Sequence, residues 1–171
     1  MSWIRQLERR LRPFAVPNLT MILIAGMVLA YLLSVAAPHY AAALTLRPQA
    51  ILRGEFWRLL TFPFMPSTLG ATPDEVRDAI NPVSMLFFFL WIMFLHLMGS
   101  ALESTWGTLR FNLFFLIGYV ASVGGAVVAS LATSDDAVGS NFFFYESVFL
   151  AFAYLYPEFE ILAFLLITVK V

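Results

Sequence analysis

Long apolar runs separated by short polar turns dominate this chain, and their lengths predict its elements. The runs cover residues 19–37, 83–102, 109–131 and 141–156, with a last one at 159–171. A helix that crosses a bilayer needs about 20 predominantly apolar residues. The first three runs meet that length and the fourth is a shorter span. Pro38 ends the first run; Asn81-Pro82 opens the second and Glu103 closes it. Ser104-Thr105-Trp106-Gly107-Thr108 predicts a tight turn into the third, Ser134-Asp135-Asp136 a polar turn after it, and Pro157-Glu158 a stop to the fourth. Residues 159–171 are too few to cross, so they read as an incomplete fifth span. The expectation is a chain that lacks a sixth helix, either cut short or completed by a partner.

The segment 38–82 fits neither class. Its centre, Arg53-Gly54-Glu55-Phe56-Trp57-Arg58-Leu59-Leu60-Thr61-Phe62-Pro63-Phe64, is too apolar for a plain loop and too charged for a span, and Pro63 and Pro66 break it. It reads as a membrane-associated loop between the first two spans, folded against the bundle or laid in the interface. Trp57 suits an interfacial anchor, and Arg58 suits either snorkelling to headgroups or capping carbonyls of a folded loop. Residues 1–18 form a basic interfacial segment: Arg5, Arg9, Arg10 and Arg12 alternate with apolar residues in a helix-like way, and Pro13 and Pro17 separate them from the first span.

Composition settles the class. Of the 171 residues, 61% are hydrophobic and 12% charged, with a mean hydropathy of +0.83, against about 45–50% and about 25% in soluble domains. The expected fold is an all-α, polytopic (multi-pass) integral membrane protein. No cysteine is present, which excludes disulfides, a Cys nucleophile and thiolate metal sites. A net charge of −1 offers nucleic acid no attractive field. His39 and His96 alone do not make a metal site, and no cofactor is expected. The four N-terminal arginines place the N-terminus in the cytoplasm by the positive-inside rule, although Arg47, Arg53, Arg58 and Arg77 fall in the opposite segment.

Few positions carry chemistry. On the third span Gly118, Ser122, Ala126 and Ser130 recur every fourth residue, beside a row of Ala121, Gly125 and Ala129. Together they predict one smooth face for close helix packing, within the chain or with a partner helix. Ser147, beside Glu146 on the fourth run, is the weak candidate for a nucleophile. A serine needs a base and an oxyanion site, and a neighbour one residue away on a helix points about 100° off. The plainer expectation is a hydroxyl bonded to a carbonyl one turn back. His96, mid-span, is expected to be buried and hydrogen-bonded. The remaining spans offer no polar path for a transporter or channel.

Two of these stretches resemble the rhomboid superfamily. Gly54-Glu55-Phe56-Trp57-Arg58-Leu59-Leu60-Thr61 looks like the tryptophan–arginine signature of the loop after the first rhomboid helix. Gly99-Ser100-Ala101-Leu102-Glu103, followed by Trp106-Gly107-Thr108-Leu109-Arg110-Phe111, resembles the Gly-x-x-x-Glu end of the second helix and its glycine turn. The resemblance runs from about Leu19 to the chain end and implies a rhomboid-like helix bundle. It also implies a catalytic set that this sequence does not match. The oxyanion helper positions fall at about Phe87 and Trp91, Ser147 is flanked by Glu146 and Val148 rather than by the glycines of Gly-x-Ser-Gly, and the helix that carries the histidine lies beyond these residues. The implied function is that of a pseudoprotease, with derlin-like logic: a protein that lies in the lipid bilayer and binds the transmembrane helices of clients or partners. The alternatives are an intramembrane serine protease with a degenerate site at Ser147, and a structural subunit of a membrane complex.

Overall fold

The computed structural model describes Arg10, Pro13, residues 15–66, 73–133, 139, 141–163 and 167–170. Its helices are α1 (Leu19–Ala36), α2 (Pro38–Leu44), α3 (Pro48–Leu52), α4 (Trp57–Thr61), α5 (Pro73–Ala79), α6 (Pro82–Trp106), α7 (Thr108–Thr133) and α8 (Phe142–Leu155), with a 3-10 turn at Phe62–Phe64. Arg5, Arg9 and Arg12 of the basic segment lie outside the described residues, as does the turn at Ser134-Asp135-Asp136.

Proline sets much of this order. Pro38, Pro48, Pro73 and Pro82 each occupy the first position of a helix. There the missing N–H has no intrahelical partner to lose, and the fixed φ is already helical. Pro38, which ends the first apolar run, therefore begins the next short helix. At α6 the preceding Asn81 adds a side-chain cap, its Oδ1 accepting from the Ser84 N–H at 3.0 Å.

Three helices, α1, α6 and α7, are long and apolar enough to cross a membrane. The protein is a membrane protein on that evidence, and its membrane-length part is helical. The outward faces agree: Leu29, Phe89, Ile117 and Leu131 are each more than 60% exposed, an apolar surface suited to lipid. The run at 141–156, expected to span, forms α8 with 14 residues. At 1.5 Å per residue that is about 21 Å, short of the roughly 30 Å hydrocarbon layer.

The core is aromatic. Between α7 and α8, Phe111, Phe115 and Phe144 meet edge to face at 4.8 Å. The series continues through Tyr145 to Trp91 on α6, with centroids 6.2 Å apart. Tyr31 on α1 stacks on Phe88 of α6 at 4.3 Å. Such pairs add about 0.5–1.5 kcal/mol each beyond area burial, and packing of this kind replaces the hydrophobic effect between helices in lipid. Glycine permits close contact between the long helices and their neighbours: a Cβ at Gly99 would stand 2.5 Å from the Thr20 hydroxyl of α1, and one at Gly118 would stand 2.7 Å from the Phe144 ring.

The last run differs from expectation. Instead of beginning a further helix, Glu160–Ala163 (β1) pairs antiparallel with Ile167–Lys170 (β2), Ile161 opposite Val169. Pro157 stops α8 from continuing, and β-branched Ile161, Ile167, Thr168 and Val169 favour extended backbone.

Candidate functional site

Two polar clamps hold α1 and its loop in place, and both resemblance motifs fall on them. The first is built by α4. Arg58 is only 8% exposed. Its Nη1 donates to the carbonyls of Ala42 at 2.6 Å and Thr45 at 3.0 Å, while its Nε and Nη2 donate to Glu55 Oε2 at 2.7 and 2.6 Å. The Trp57 indole N–H donates to the Ala43 carbonyl at 3.2 Å, and the Thr61 hydroxyl to that of Leu44 at 3.2 Å. The four successive carbonyls at the C-terminal end of α2, which no intrahelical N–H can reach, are thus all satisfied by α4. A guanidinium suits that place because a helix C-terminus carries partial negative charge. Of the two roles open to Arg58, capping is the one its geometry shows.

The outer side of the same loop is apolar. Leu52, Phe56, Trp57 and Leu60 are at least half exposed beside the buried guanidinium. Asn141, ahead of α8, fixes the loop's end: its Nδ2 shares two N–H donors among the carbonyls of Phe62, Pro63 and Met65. The hydroxyls of Tyr145 and Tyr119 donate to Pro63 and Leu59. These partners escaped the sequence reading. The one signal for Asn141 was an amide at the mouth of an aromatic run.

The second clamp lies at the opposite end. Glu103 Oε1 accepts from the Asn18 N–H at 3.0 Å, placing a carboxylate at the N-terminus of α1. Asn18 takes a left-handed conformation, φ 54°, that asparagine tolerates. Asn112 on α7 binds residue 16 from both sides, accepting from the Val16 N–H and donating to its carbonyl. Between Glu103 and Asn112, α6 turns into α7 through Gly107 alone, at φ 82° and ψ 155°, a region essentially confined to glycine. Trp106 packs edge to face on Phe114.

The candidate serine is not activated. Ser147 Oγ donates to the Phe144 carbonyl at 2.6 Å, the backbone bond expected of it. Among the described residues no histidine or carboxylate reaches it, and Glu146 is half-buried with no partner for its carboxylate. Phe87 points outward, 51% exposed, and Trp91 packs on Tyr145. Among the described residues no group of His, Asp or Glu could hold a metal ion. His39 is exposed beside Tyr40, on a different helix from His96.

Two expectations are corrected. The small residues of α7 do not form one packing face. Gly118, Ser122, Ala126 and Ser130 turn inward, whereas Ala121, Gly125 and Ala129 are exposed, and nothing lies within 4 Å of a Cβ added at Gly125. Rows one residue out of phase lie about 100° apart on a helix, enough to leave the seam. His96 is likewise exposed rather than buried, and its Nδ1 lies 3.3 Å from Ser100 Oγ on the same helix.

Two hollows remain. One of about 370 Å³ lies between α1 and α7, lined by Leu19, Leu23, Pro63, Leu113, Leu116 and Phe144 among others. Asn112 also lines it, but that amide is occupied by residue 16. The other, about 160 Å³ between α6 and α8, is walled by Trp91, Phe94, Met98, Tyr145 and Phe149 among others. Neither brings together a nucleophile, a base and an oxyanion donor. Comparison with family models, characterised proteins and solved structures gave no match.

Proposed function

We propose that this chain is a catalytically inactive, rhomboid-like membrane protein that binds the transmembrane helices of client or partner proteins. The observation that carries the inactive reading is the Ser147 hydroxyl, bonded to its own helix backbone with no base beside it. The exposed small-residue row of α7 supports helix binding, because Gly125 leaves open space into which another helix backbone can approach. The reading includes a multi-pass topology with the N-terminus in the cytoplasm. Single engineered cysteines test that topology on a background free of native thiols. The function is tested by treating the protein, in native-lipid particles, with a fluorophosphonate probe alongside a Ser147→Ala variant. No Ser147-dependent labelling is expected. Labelling lost in Ser147→Ala, together with cleavage of a transmembrane substrate, would establish a protease instead.

A further inference from the structure

An imidazole on the outside of a membrane helix, near its middle, needs a reason. In α6 fourteen residues precede His96 and ten follow it, which sets it about 3 Å from the helix midpoint along the axis. The ring is exposed, on the same side as Phe89, Met93 and Leu97. Ser100 Oγ engages Nδ1, and Nε2 has no partner among the described residues. Neither lipid tails nor water can supply one at that depth, and ionisable side chains inside membranes almost always face protein or a water-filled cavity. Ser100 and Ser104, exposed at the next two turns, are small enough for a helix backbone to come close. The Ser104 hydroxyl is already bonded to the Ala101 carbonyl.

We infer that the outward face of α6, centred on His96 and Ser100, docks a transmembrane helix that carries a hydrogen-bonding side chain, such as an amide, at mid-membrane depth. The inference rests on the helix-binding reading above and names its site. The chemistry on the page selects this occupant. Phe89, Met93 and Leu97 match an apolar helix surface, Ser100 and Ser104 allow close approach, and the ring's free nitrogen matches one polar group and no more. Ser100 fixes the ring by holding Nδ1, so that Nε2 is the atom left for the partner.

The test uses the full chain, labelled at its N-terminus, in phosphatidylcholine vesicles with two synthetic probes: a leucine-rich transmembrane peptide with one central asparagine, and the same peptide with leucine there. Energy transfer reports association. The asparagine peptide is expected to bind the native chain roughly three- to tenfold more tightly than it binds His96→Leu, the range of interhelical hydrogen bonds in bilayers. His96→Gln should restore binding, and the all-leucine peptide should not distinguish the variants. Because His96 is exposed, these changes leave the core intact. If both peptides bind the native chain and His96→Leu alike, helix docking survives and the His96 site is refuted. If neither peptide binds, both readings fall. If His96→Leu abolishes only transfer between two copies of the protein, the occupant is a second copy and the stated partner is wrong.

Discussion

The two clamps do the same work under different conditions. At one end a nearly buried guanidinium and Asn141 gather the loop's carbonyls. At the other, Glu103 and Asn112 hold residues 16 and 18 through exposed bonds. Burial sets their weight. A polar group withdrawn from solvent leaves its partners unsatisfied when it is removed, whereas an exposed one hands them to water. The Arg58 clamp is therefore a stability element, and the Glu103 clamp chiefly selects how the chain enters α1.

Four substitutions can break or sharpen this contrast. Arg58→Ala should cost about 3 kcal/mol, the lower end for breaking a buried pair because Glu55 is a third exposed. The unfolding midpoint in mixed micelles measures it, and a loss under about 1 kcal/mol would reject the clamp. Gly107→Ala comes next, at about 2 kcal/mol, because its backbone lies where a Cβ is strained; an unchanged midpoint would mean the turn relaxes freely. Asn141→Ala should cost a similar or slightly smaller amount, about 1–2 kcal/mol. Combined with Tyr145→Phe it should be non-additive, since both side chains bond the Pro63 carbonyl; strict additivity would refute that coupling. Glu103→Ala should cost least, about 0.5 kcal/mol, and the difference from native should shrink in high salt as expected for a half-buried charge whose bond at a helix terminus is open to solvent. A salt-independent loss larger than that of Arg58→Ala would invert the comparison.

How much of this was legible follows from what lipid does to sequence pattern. The three long helices stand within a few residues of the apolar runs that predicted them, and the capping role of Arg58 could be read because a charge in a greasy, proline-broken loop demands acceptors. Inward and outward faces could not be read. A helix apolar all round carries no periodic signal, so the sequence places His96 inward and leaves the two small-residue rows of α7 as one face, turned within the chain or toward a partner helix, and only packing separates them. Asn141 was hidden for a different reason: its three acceptors lie more than seventy residues back in the chain, and no local pattern encodes them. The hairpin at β1 and β2 was missed because a short apolar run fits a strand as well as a helix.

The one-residue junction at Gly107 has a mechanical consequence. A single residue spans at most about 3.6 Å, less than the 5.4 Å pitch of one helical turn. The 25-residue and 26-residue helices on either side of it therefore have no slack to slide past each other by a turn. In a bilayer thinner than their apolar length they must lean together as one lever, and any sliding within the bundle falls to α1 and α8.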